Sequence, residues 1–527
     1  MSAASVHNAA TVFIDEPLRE GLGGRVALVT VGGTALTYAE LGALVDRAGH
    51  ALRARGVEPE QRVALLLPDG PAFVATFFAA LKLGAIAVPL NTRLGPGDLQ
   101  AILDDCRAKV LVADPDLLAP LRPALDRAAV GTATSVHDLL SAGSANPLAA
   151  EAVGLDAMAF WLYTSGTTGF PKAAVHCHRT LLACRHYARD VLGVTERDRV
   201  FATSKLFFAY ALGNALLIPL YCRASAYLHP GWPDPDTVRR VMSEHQPTLF
   251  FSVPTFYSRL LRAELPADTF RSVRRCVSAG ERLPAEIYGA WRERFGVEIL
   301  DGIGATETVF MVLSNREGAS RPGSSGTPVE GTEARILDAD GAPAVDGQPG
   351  VLWVKTPSLA AGYWKRLDHT RRTFVGEWFR TGDVYRRDAE GFYYHGGRED
   401  DFFKVAGQWV APAEVEAVLL RHPGVLEAGV VGAEEIGGLI KPFVFVVPRN
   451  PVATALADEL RRLLEGSLPP HQRPREIIIV RELPRTATGK LQRFRLREEL
   501  RRLHADDVRA EARPSCRRHE RDEASAE

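Results

Sequence analysis

The chain has 527 residues with 46% hydrophobic content, which predicts a globular protein of two or three domains. Lys and Arg number 63 against 64 Asp and Glu, and a net charge of −1 argues against nucleic acid or an anionic membrane surface as the main partner. The six cysteines form no CxxC pair, so we expect free thiols in a reducing compartment. There is no secretory leader pattern and no apolar run of roughly 18 residues. We therefore expect a cytoplasmic protein without a membrane segment.

The first part of the chain alternates between helix and buried strand. Helical periodicity covers residues 38–56, an apolar strand covers 63–67, a helix begins at Pro71 and ends at Gly84, and a second apolar strand covers 86–90. The same alternation returns around residues 110–112, 249–253 and 297–300. This pattern predicts an α/β fold with parallel-rich sheets covered by helices.

The stretch from Tyr163 to Lys172 combines four hydroxyl side chains, two glycines and one lysine. Glycines let successive backbone N–H groups converge on an anion, and the hydroxyls and the ammonium add further donors. The sequence therefore predicts a phosphate site, although its spacing is not that of a Walker A loop. A polar surface loop is the alternative interpretation. The residues concerned are Thr164, Ser165, Gly166, Thr167, Thr168, Gly169 and Lys172.

The composition and the predicted secondary structure of the chain change near residue 320 and again near residue 398. Residues 320–397 are rich in glycine and short β runs, which indicates a small β-barrel-like subdomain closing an N-terminal domain of residues 1–397. Strand and helix patterns resume in residues 398–504, which we expect to form a smaller α+β domain. Residues 505–527 are charged and nearly lack large apolar side chains, so we expect a disordered tail.

Four further polar motifs follow in order at residues 301–307, 380–383, 397–401 and 484–490. Together with the loop at 163–172 they make the chain resemble the adenylate-forming enzymes, which include acyl- and aryl-CoA ligases, carrier-protein adenylation domains and luciferases. The resemblance extends over about residues 10–500. It implies that a carboxylate and ATP give an acyl-adenylate and pyrophosphate, and that a thiol then displaces AMP.

The resemblance also implies roles for individual residues. Thr306 would contact the α-phosphate, Glu307 would hold Mg²⁺, and Lys490 would stabilise charge that develops in the transition state. Asp383 and Arg398 would hold the ribose hydroxyls. The nucleotide site would also include Ala279, Gly280, Glu281, Asp301, Gly302 and Ile303.

In the family the C-terminal domain rotates between the two half-reactions, and the residue matching Asp400 is the hinge. The rotation would exchange Lys490 for the face that carries Lys404 and Gly407. We expect this face to form a tunnel for a pantetheine thiol, where a side chain in place of Gly407 would obstruct the arm.

The stretch 205–213 is similar to the aryl pocket of the benzoate-CoA ligase branch, although a core strand is an alternative. By that match Phe208, Ala209 and Tyr210 would enclose a flat ring, for which Gly304 would leave room. Benzoate ligases carry a histidine shortly after the Thr-Glu motif, whereas this chain has Phe310 followed by Met311. An apolar site discriminates weakly between similar rings, so substituted benzoates, cinnamate-like acids and larger apolar acids all remain open.

Three functions are consistent with these motifs. The first is an aryl-acid:CoA ligase that uses ATP, Mg²⁺ and CoA, acting as a monomer or a homodimer. The second is a stand-alone adenylation enzyme that loads the acid onto a carrier-protein thiol. The third, a non-catalytic nucleotide-binding protein, is disfavoured because Lys490 and Glu307 are both present.

Overall fold

The computed structural model describes residues 8–164, 171–434, 439–449, 455–485 and 491–511, apart from the side chains of residue 124 and of residues 505–511. The chain separates into two compact units, residues 1–396 and residues 397–527. The domain boundary near residue 398 and the hinge at Asp400 remain predictions.

The described strands up to Arg398 form three sheets, and the last of them extends two residues past the end of the first unit. In chain order they are β1 (Val26–Val29), β2 (Ala35–Thr37), β3 (Arg62–Leu66), β4 (Ile86–Pro89), β5 (Val110–Ala113), β6 (Thr132–Ser135), β7 (Met158–Thr164), β8 (Lys172–Cys177), β9 (Arg199–Ala202), β10 (Ser225–Tyr227), β11 (Leu249–Ser252), β12 (Arg275–Ser278), β13 (Ile299–Gly304), β14 (Met311–Ser314), β15 (Thr327–Pro328), β16 (Glu333–Leu337), β17 (Gly350–Lys355), β18 (Gly362–Tyr363), β19 (Phe374–Val375), β20 (Trp378–Arg387) and β21 (Tyr393–Arg398).

The described α-helices of the first unit vary from single turns to long amphipathic segments. They are α1 (Ala10–Arg19), α2 (Tyr38–Ala54), α3 (Pro71–Lys82), α4 (Pro96–Cys106), α5 (Pro115–Leu118), α6 (Arg122–Leu125), α7 (Val136–Ala142), α8 (His178–Leu182), α9 (Cys184–His186), α10 (Ala209–Ala211), α11 (Ile218–Tyr221), α12 (Pro235–His245), α13 (Pro254–Arg262), α14 (Ala285–Phe295) and α15 (Leu367–Thr373). Two π-helical segments, Tyr187–Val191 and Leu212–Leu217, continue α9 and α10.

Two large sheets dominate the first unit. One has seven strands in the order β18-β8-β7-β4-β3-β5-β6, and the other has nine in the order β15-β14-β13-β12-β11-β9-β10-β1-β2. Their central strands are parallel, and antiparallel pairs occur only toward the edges. The prediction of an α/β fold with parallel-rich sheets is confirmed.

Helix α3 shows why these sheets are buried on both faces. Its first residue is Pro71, whose fixed φ suits a helix start, and every residue from Phe73 to Lys82 is buried. A helix that is apolar on all sides must be enclosed, and α3 packs into one core that also includes side chains of both large sheets. Successive strand residues such as Leu65 and Leu66 belong to different cores on opposite faces of the seven-stranded sheet.

Lys82 is the one charged residue of α3, and only 2% of its side chain is exposed. Its ammonium lies 2.9 Å from Asp15 of α1 and 2.8 Å from Asp46 of α2. A buried cation requires such partners because desolvation of an unpaired charge is costly. The lysine therefore joins three helices at one point.

The third sheet of this unit is antiparallel and has the path β16-β17-β20-β19, with β21 also paired to β20. Tyr385, Tyr393 and Phe379 fill one side of this sheet together with Leu352 and Val354. It occupies the segment in which the sequence predicted a small β subdomain.

The second unit contains two small sheets and three described helices. Strands β22 (Phe403–Val405) and β23 (Gln408–Val410) form a hairpin, and β24 (Val425–Glu434), β25 (Ile440–Pro448) and β26 (Glu476–Ile479) form a three-stranded sheet. The helices are α16 (Pro412–Leu419), α17 (Leu456–Ser467) and α18 (Arg493–Glu511).

Three further findings concern the C-terminal helix, the cysteines and membrane-spanning segments. Helix α18 continues through Ala505, where we expected disorder to begin, to Glu511; residues 512–527 lie outside the described residues. The five cysteines of the described ranges are all unpaired. Among the residues that the structure describes, no helix is both long enough and apolar enough to cross a membrane.

Candidate active site

Polar side chains form a row across the carboxyl ends of four neighbouring parallel strands. The strand register pairs Ser252 with Ser278 and Ser278 with Asp301, and the Thr203 hydroxyl lies 2.8 Å from that of Ser252. All four residues are buried although they are polar. Ligands of open α/β sheets bind at this edge, so the row marks a candidate site.

The predicted nucleotide residues continue directly from this row. Ala279, Gly280 and Glu281 follow β12, and Gly280 has a φ of +90°, which favours glycine. Glu281 accepts a hydrogen bond of 2.5 Å from the Thr255 hydroxyl. Asp301, Gly302 and Ile303 lie on the adjacent strand β13. The structure thus brings both predicted segments to one sheet edge.

Asp301 is almost fully enclosed at the centre of this edge. Burial raises the pKa of its carboxyl to about 8. Its Oδ1 atom has no hydrogen-bond partner in the described part of the chain, whereas its backbone carbonyl accepts bonds from the backbone N–H and the side-chain amide of Asn315. A carboxyl in this setting favours a proton and can then donate a hydrogen bond.

Thr306 and Glu307 occupy a tight turn between β13 and β14. The Thr308 hydroxyl accepts from the Ala305 N–H at 3.0 Å and lies 3.1 Å from the Phe310 carbonyl oxygen. Val309 within this turn has a φ of +60°, which is uncommon for a β-branched residue. Thr308 is fully buried and fixes the conformation of the turn.

Two contacts from other elements hold this turn in place. His176 on β8 donates from Nε2 to the Thr306 carbonyl oxygen at 2.9 Å, and its ring stacks on Phe160 with a centroid distance of 4.8 Å. The Tyr363 hydroxyl donates to Oε1 of Glu307 at 2.6 Å. The motif residues are therefore positioned by side chains that lie outside the motif.

Lys172 lies in the same neighbourhood, at the first position of β8. Its ammonium is 5.2 Å from the centroid of the Tyr363 ring, and its backbone pairs with that of Thr164 at the end of β7. Residues 165–170 lie outside the described residues, and they include the predicted Ser165, Gly166, Thr167, Thr168 and Gly169. Of the predicted phosphate loop, the structure thus describes only the two ends, at Thr164 and Lys172.

The residues present fit a Mg²⁺ site of the kind that forms with a nucleotide. No group of three or more His, Cys, Asp or Glu residues within the described ranges could hold a metal by itself. Mg²⁺ in nucleotide sites typically takes one or two carboxylates and completes its shell with water and phosphate oxygens. Glu307, only 9% exposed and already oriented by Tyr363, can supply the single carboxylate.

Asp383 lies on β20 of the antiparallel sheet. Its N–H donates to the Thr381 hydroxyl at 3.0 Å, and its Oδ1 is 3.4 Å from Nε2 of His395. Arg398, the second predicted ribose contact, is the last residue of β21. Ribose binding by these two residues remains a prediction.

The predicted aryl pocket begins at Phe208 and continues into α10. The Tyr210 hydroxyl lies 3.0 Å from the carbonyl oxygens of both Ser252 and Val277, so this residue reaches the ends of β11 and β12. Its ring is only partly buried. Ala209 is buried, and the Phe208 ring lies edge-on to Phe207.

A buried ion pair secures the start of this segment. The Lys205 ammonium lies 3.6 Å from Asp69 and donates to the His229 carbonyl oxygen at 2.6 Å, while Asp69 also accepts from the Leu206 N–H at 3.0 Å. Burial raises the pKa of Asp69 to about 6, against the opposing effect of Lys205. The sequence did not reveal this pair because its members are distant along the chain.

Gly304, Phe310 and Met311 are the remaining residues of the predicted acyl pocket, and their part in it remains a prediction. A Cβ atom on Gly304 would lie 2.7 Å from the Phe310 carbonyl oxygen, so the close approach of β14 already requires glycine there. Phe310 and Met311 are 3% and 4% exposed, and Phe310 packs so closely on Gly213 that a Cβ there would lie 3.0 Å from its ring. The room that Gly304 leaves for an aryl ring is thus not needed to explain this glycine.

The second unit carries the remaining predicted residues. Asp400 lies in the 3-10 turn Glu399–Asp401, and the Lys404 ammonium is 4.7 Å from the Trp409 ring. Ala406 and Gly407 have φ angles of 49° and 81°, and two positive φ values are typical of a tight hairpin turn. The backbone alone therefore favours glycine at 407, independently of any tunnel.

Lys490 lies outside the described residues, but the chain on either side of it is described. Arg485 and Leu491 form an antiparallel bridge, and the Gln492 N–H donates to the Pro484 carbonyl oxygen at 2.8 Å. Arg485 also pairs with Glu427 at 2.9 Å. The two flanks of the predicted catalytic lysine are thus joined to each other and to β24.

Comparison with known proteins identifies the family of the chain. Residues 19–364 match the AMP-binding enzyme family, and residues 414–490 match the AMP-binding enzyme C-terminal domain. The chain belongs to the AMP-binding enzyme family. The prediction of an adenylate-forming enzyme is therefore confirmed.

Individual members of the AMP-binding family are similar over nearly the whole chain. The 3-hydroxybenzoate–CoA ligase of Aromatoleum sp. (strain CIB) is 41% identical, covering 94% of this chain and 97% of that protein. The benzoate–CoA ligase of Thauera aromatica is 42% identical, with coverages of 93% and 96%. The crystal structure of a benzoate CoA ligase from Burkholderia xenovorans LB400 has 41% identity and a TM-score of 0.86, and the match covers 93% of this chain and all 100% of that one.

Two buried histidines are expected to make the fold of this AMP-binding enzyme sensitive to acid. Burial lowers the pKa of His176 and His178 from 6.5 to about 4. Between these values the unfolded chain binds protons that the native chain excludes, so the free energy of unfolding should fall as the pH falls from about 6.5 to about 4. Urea unfolding across this range measures the loss.

The contribution of each histidine can be separated by substitution. His178 accepts a hydrogen bond from the Ala9 N–H through Nδ1, and asparagine offers an acceptor in a similar position. His178→Asn should therefore reduce the loss of stability in acid, whereas the exposed His137→Asn should retain it in full. An equal acid response in both variants would contradict this explanation.

Proposed function

We propose that the chain is an ATP-dependent aryl-acid:CoA ligase that acts on benzoate or a substituted benzoate. The observation that carries this proposal is identity of 41–42% to ligases named for benzoate and 3-hydroxybenzoate, over more than nine-tenths of both chains. The aromatic segment around Tyr210 adjoins the same sheet edge as Asp301, which supports an aryl pocket beside the nucleotide.

In the first half-reaction, a carboxylate oxygen of the acid attacks the α-phosphorus of ATP. The bond from this phosphorus to the bridging oxygen of the β-phosphate breaks, and pyrophosphate leaves. We assign the α-phosphate to Thr306 and Lys490, and the departing phosphates to the loop that ends at Lys172. Bound Mg²⁺ would supply further positive charge at the phosphates, held on the protein side by Glu307.

In the second half-reaction, a thiol sulfur attacks the acyl carbon of the adenylate, loses its proton, and displaces AMP to give the thioester. We propose that Asp400 is the hinge for the accompanying rotation and that the hairpin with Lys404 and Gly407 serves the thiol. CoA is favoured over a carrier protein because the two relatives described above are CoA ligases by name.

The range of acids that we expect the enzyme to accept follows from the apolar side of the proposed pocket. Phe310 has no hydrogen-bonding group, and a hydrophobic wall discriminates by only about 10- to 200-fold between ligands that differ by a small group. We therefore expect benzoate and several monosubstituted benzoates to be accepted, with a cyclic aliphatic acid of similar size used less well because it cannot fit a flat slot.

The experiment is a panel of acids supplied with ATP and Mg²⁺, read by pyrophosphate release and then by thioester formation. The panel contains benzoate, the hydroxybenzoates, the aminobenzoates, cinnamate and cyclohexanecarboxylate. We expect at least one benzoate to release pyrophosphate and to yield an acyl-CoA. Pyrophosphate release with cyclohexanecarboxylate alone would contradict the aryl assignment.

The same panel separates the two thiol acceptors. Each acid that releases pyrophosphate is offered free CoA and, separately, a carrier protein bearing phosphopantetheine. The CoA ligase assignment predicts thioester formation with free CoA. Transfer to the carrier protein without transfer to CoA would establish the alternative function.

A further inference from the structure

Tyr363 is not among the site residues predicted from the sequence, yet it contacts two residues of the proposed phosphate chemistry. It lies on β18, which pairs with β8 so that Tyr363 is opposite Ala174. Backbone bonds on either side, from Ala361 to Val175 at 2.8 Å and from Trp364 to Ala173 at 3.0 Å, fix the strand. The position of the side chain is therefore determined by the sheet.

Local packing restricts Tyr363 further. Its N–H donates to the Thr370 hydroxyl at 3.0 Å, and the neighbouring Gly362 has a φ of +146° with Thr370 only 2.7 Å from where its Cβ would be. The ring is edge-on to Phe374 at a centroid distance of 5.3 Å. Because the backbone of Tyr363 is fixed and Phe374 packs against one side of its ring, the hydroxyl points in one direction.

That hydroxyl points at Glu307. The donor–acceptor distance of 2.6 Å is in the range of hydrogen bonds to a charged oxygen, and the Ala360 N–H donates to the Glu307 backbone carbonyl at 2.8 Å. The segment before and including β18 thus holds Glu307 by both its backbone and its side chain. The bond occupies one carboxylate oxygen, and a cation that binds in monodentate fashion needs only the other.

The ring of Tyr363 faces Lys172. Its ammonium lies 5.2 Å from the Tyr363 ring centroid, within the range of about 6 Å for a cation–π contact. One tyrosine therefore touches the lysine that ends the phosphate loop through its ring and the acidic residue through its hydroxyl. These two contacts can be removed separately.

The geometry points to Tyr363 as a positioning residue that orients the Glu307 carboxylate for Mg²⁺·ATP and sets its distance from Lys172. This inference rests on the proposed function, in which Glu307 holds the metal. Without the Tyr363 hydroxyl, the Glu307 side chain, which has three rotatable bonds, must be ordered by the metal itself. That ordering costs side-chain entropy. Loss of a partner that orients a metal ligand typically weakens metal binding by about 10- to 100-fold.

The test measures metal binding directly. Mn²⁺ serves as the probe, and its binding to the full-length protein with α,β-methylene-ATP is followed by electron paramagnetic resonance. Tyr363→Phe keeps the ring over Lys172 and removes the hydroxyl, so we expect Mn²⁺ affinity to fall by about 10- to 100-fold. Tyr363→Leu also removes the ring and should in addition weaken binding of the nucleotide analogue measured without metal.

Tyr394→Phe is the matched control. The Tyr394 hydroxyl also donates to a carboxylate, that of Asp388 at 3.0 Å, and its ring also lies under a cation, that of Arg386 at 4.7 Å. None of these three residues belongs to the proposed site. The control should bind Mn²⁺ as the wild type does. Thermal unfolding of each variant establishes that it is folded. If Tyr363→Phe does not fold, Tyr363→Leu, which also lacks the hydroxyl, carries the same expectation of weaker Mn²⁺ binding.

Glu307→Gln separates the possible failures. If it weakens Mn²⁺ binding while Tyr363→Phe does not, the positioning role of Tyr363 is wrong and the metal assignment stands. If Glu307→Gln itself leaves Mn²⁺ affinity unchanged, the metal assignment in the proposed function is wrong. Weakening in both variants, without weakening in Tyr394→Phe, supports both.

Discussion

Replacing Lys490 with alanine is expected to slow adenylate formation by about 10²- to 10³-fold, which is the typical cost of removing one group that stabilises transition-state charge. The attacked α-phosphate gains negative charge as the carboxylate oxygen approaches, and the proposed ammonium offsets that charge only during this step. Thioester formation from a supplied aroyl-adenylate should remain close to the wild-type rate. Single-turnover assays of the two half-reactions measure the difference.

A matched lysine in the same unit provides the control for this experiment. Lys441 lies on β25 and has no part in the proposed chemistry, so Lys441→Ala should leave both half-reactions unchanged. Equal slowing of both half-reactions in Lys490→Ala would indicate a structural defect. Full adenylation by that variant would remove the lysine from the mechanism and revive the interpretation of a protein that only binds nucleotide.

Replacing Arg493 with methionine is expected to destabilise the second unit by about 3–5 kcal/mol, the usual cost of breaking a buried ion pair from one side. The Arg493 guanidinium donates to Asp401 at 3.0 Å, to both Glu416 oxygens at 2.6 and 2.8 Å, and to the Val430 carbonyl oxygen at 3.2 Å. Burial opposes its charge, but the two carboxylates outweigh burial and raise the pKa of Arg493. Removal of the guanidinium leaves the carboxylates of Asp401 and Glu416 without the positive charge that compensates them.

The prediction for Arg493 is measured by hydrogen exchange in the strands β24 and β25, which report on the second unit within the intact chain. Arg501→Met changes an exposed arginine of the same helix and should leave exchange unaltered. Adding Asp401→Asn and Glu416→Gln to Arg493→Met should restore part of the protection, because no uncompensated charge then remains. Unchanged protection in Arg493→Met would contradict the role assigned to this network.

The Arg493 network also has a functional aspect. Asp401 follows the proposed hinge Asp400, and Arg493 begins helix α18 just after the segment that carries Lys490. The ion pair therefore joins the neighbourhoods of two residues that the proposed function requires. These neighbourhoods are separated by 92 positions along the chain, so no local sequence pattern could have linked them.

The sequence predicted the regular elements well where local signals were strong. The helix expected from Pro71 to Gly84 extends from Pro71 to Lys82, and the strand expected at 63–67 covers Arg62–Leu66. These elements are defined by local signals. For α3 the signals are a proline at the start, an apolar stretch that is buried on all sides and a glycine after the end. By contrast, residues 505–511 have a charged composition that favours disorder, yet they continue α18.

For the site, the motifs identified residue types but not the contacts that position them. Glu307 and Tyr363 are 56 positions apart, and His176 and Thr306 are 130 apart. Gly304 shows the same limit, because a Cβ atom there would lie 2.7 Å from the carbonyl oxygen of Phe310, the residue just before the adjacent strand β14. Each of these contacts depends on which strands are neighbours.

The sequence by itself determined the α/β class, the adenylate-forming family and the set of residues that carry charge and hydroxyl groups, because these follow from local periodicity and short motifs. Only the tertiary structure decided that Thr203, Ser252, Ser278 and Asp301 form one row, and that Tyr363 lies between Lys172 and Glu307. The physical reason is that strand order and register arise from packing of the whole core, which brings together residues that no local pattern relates.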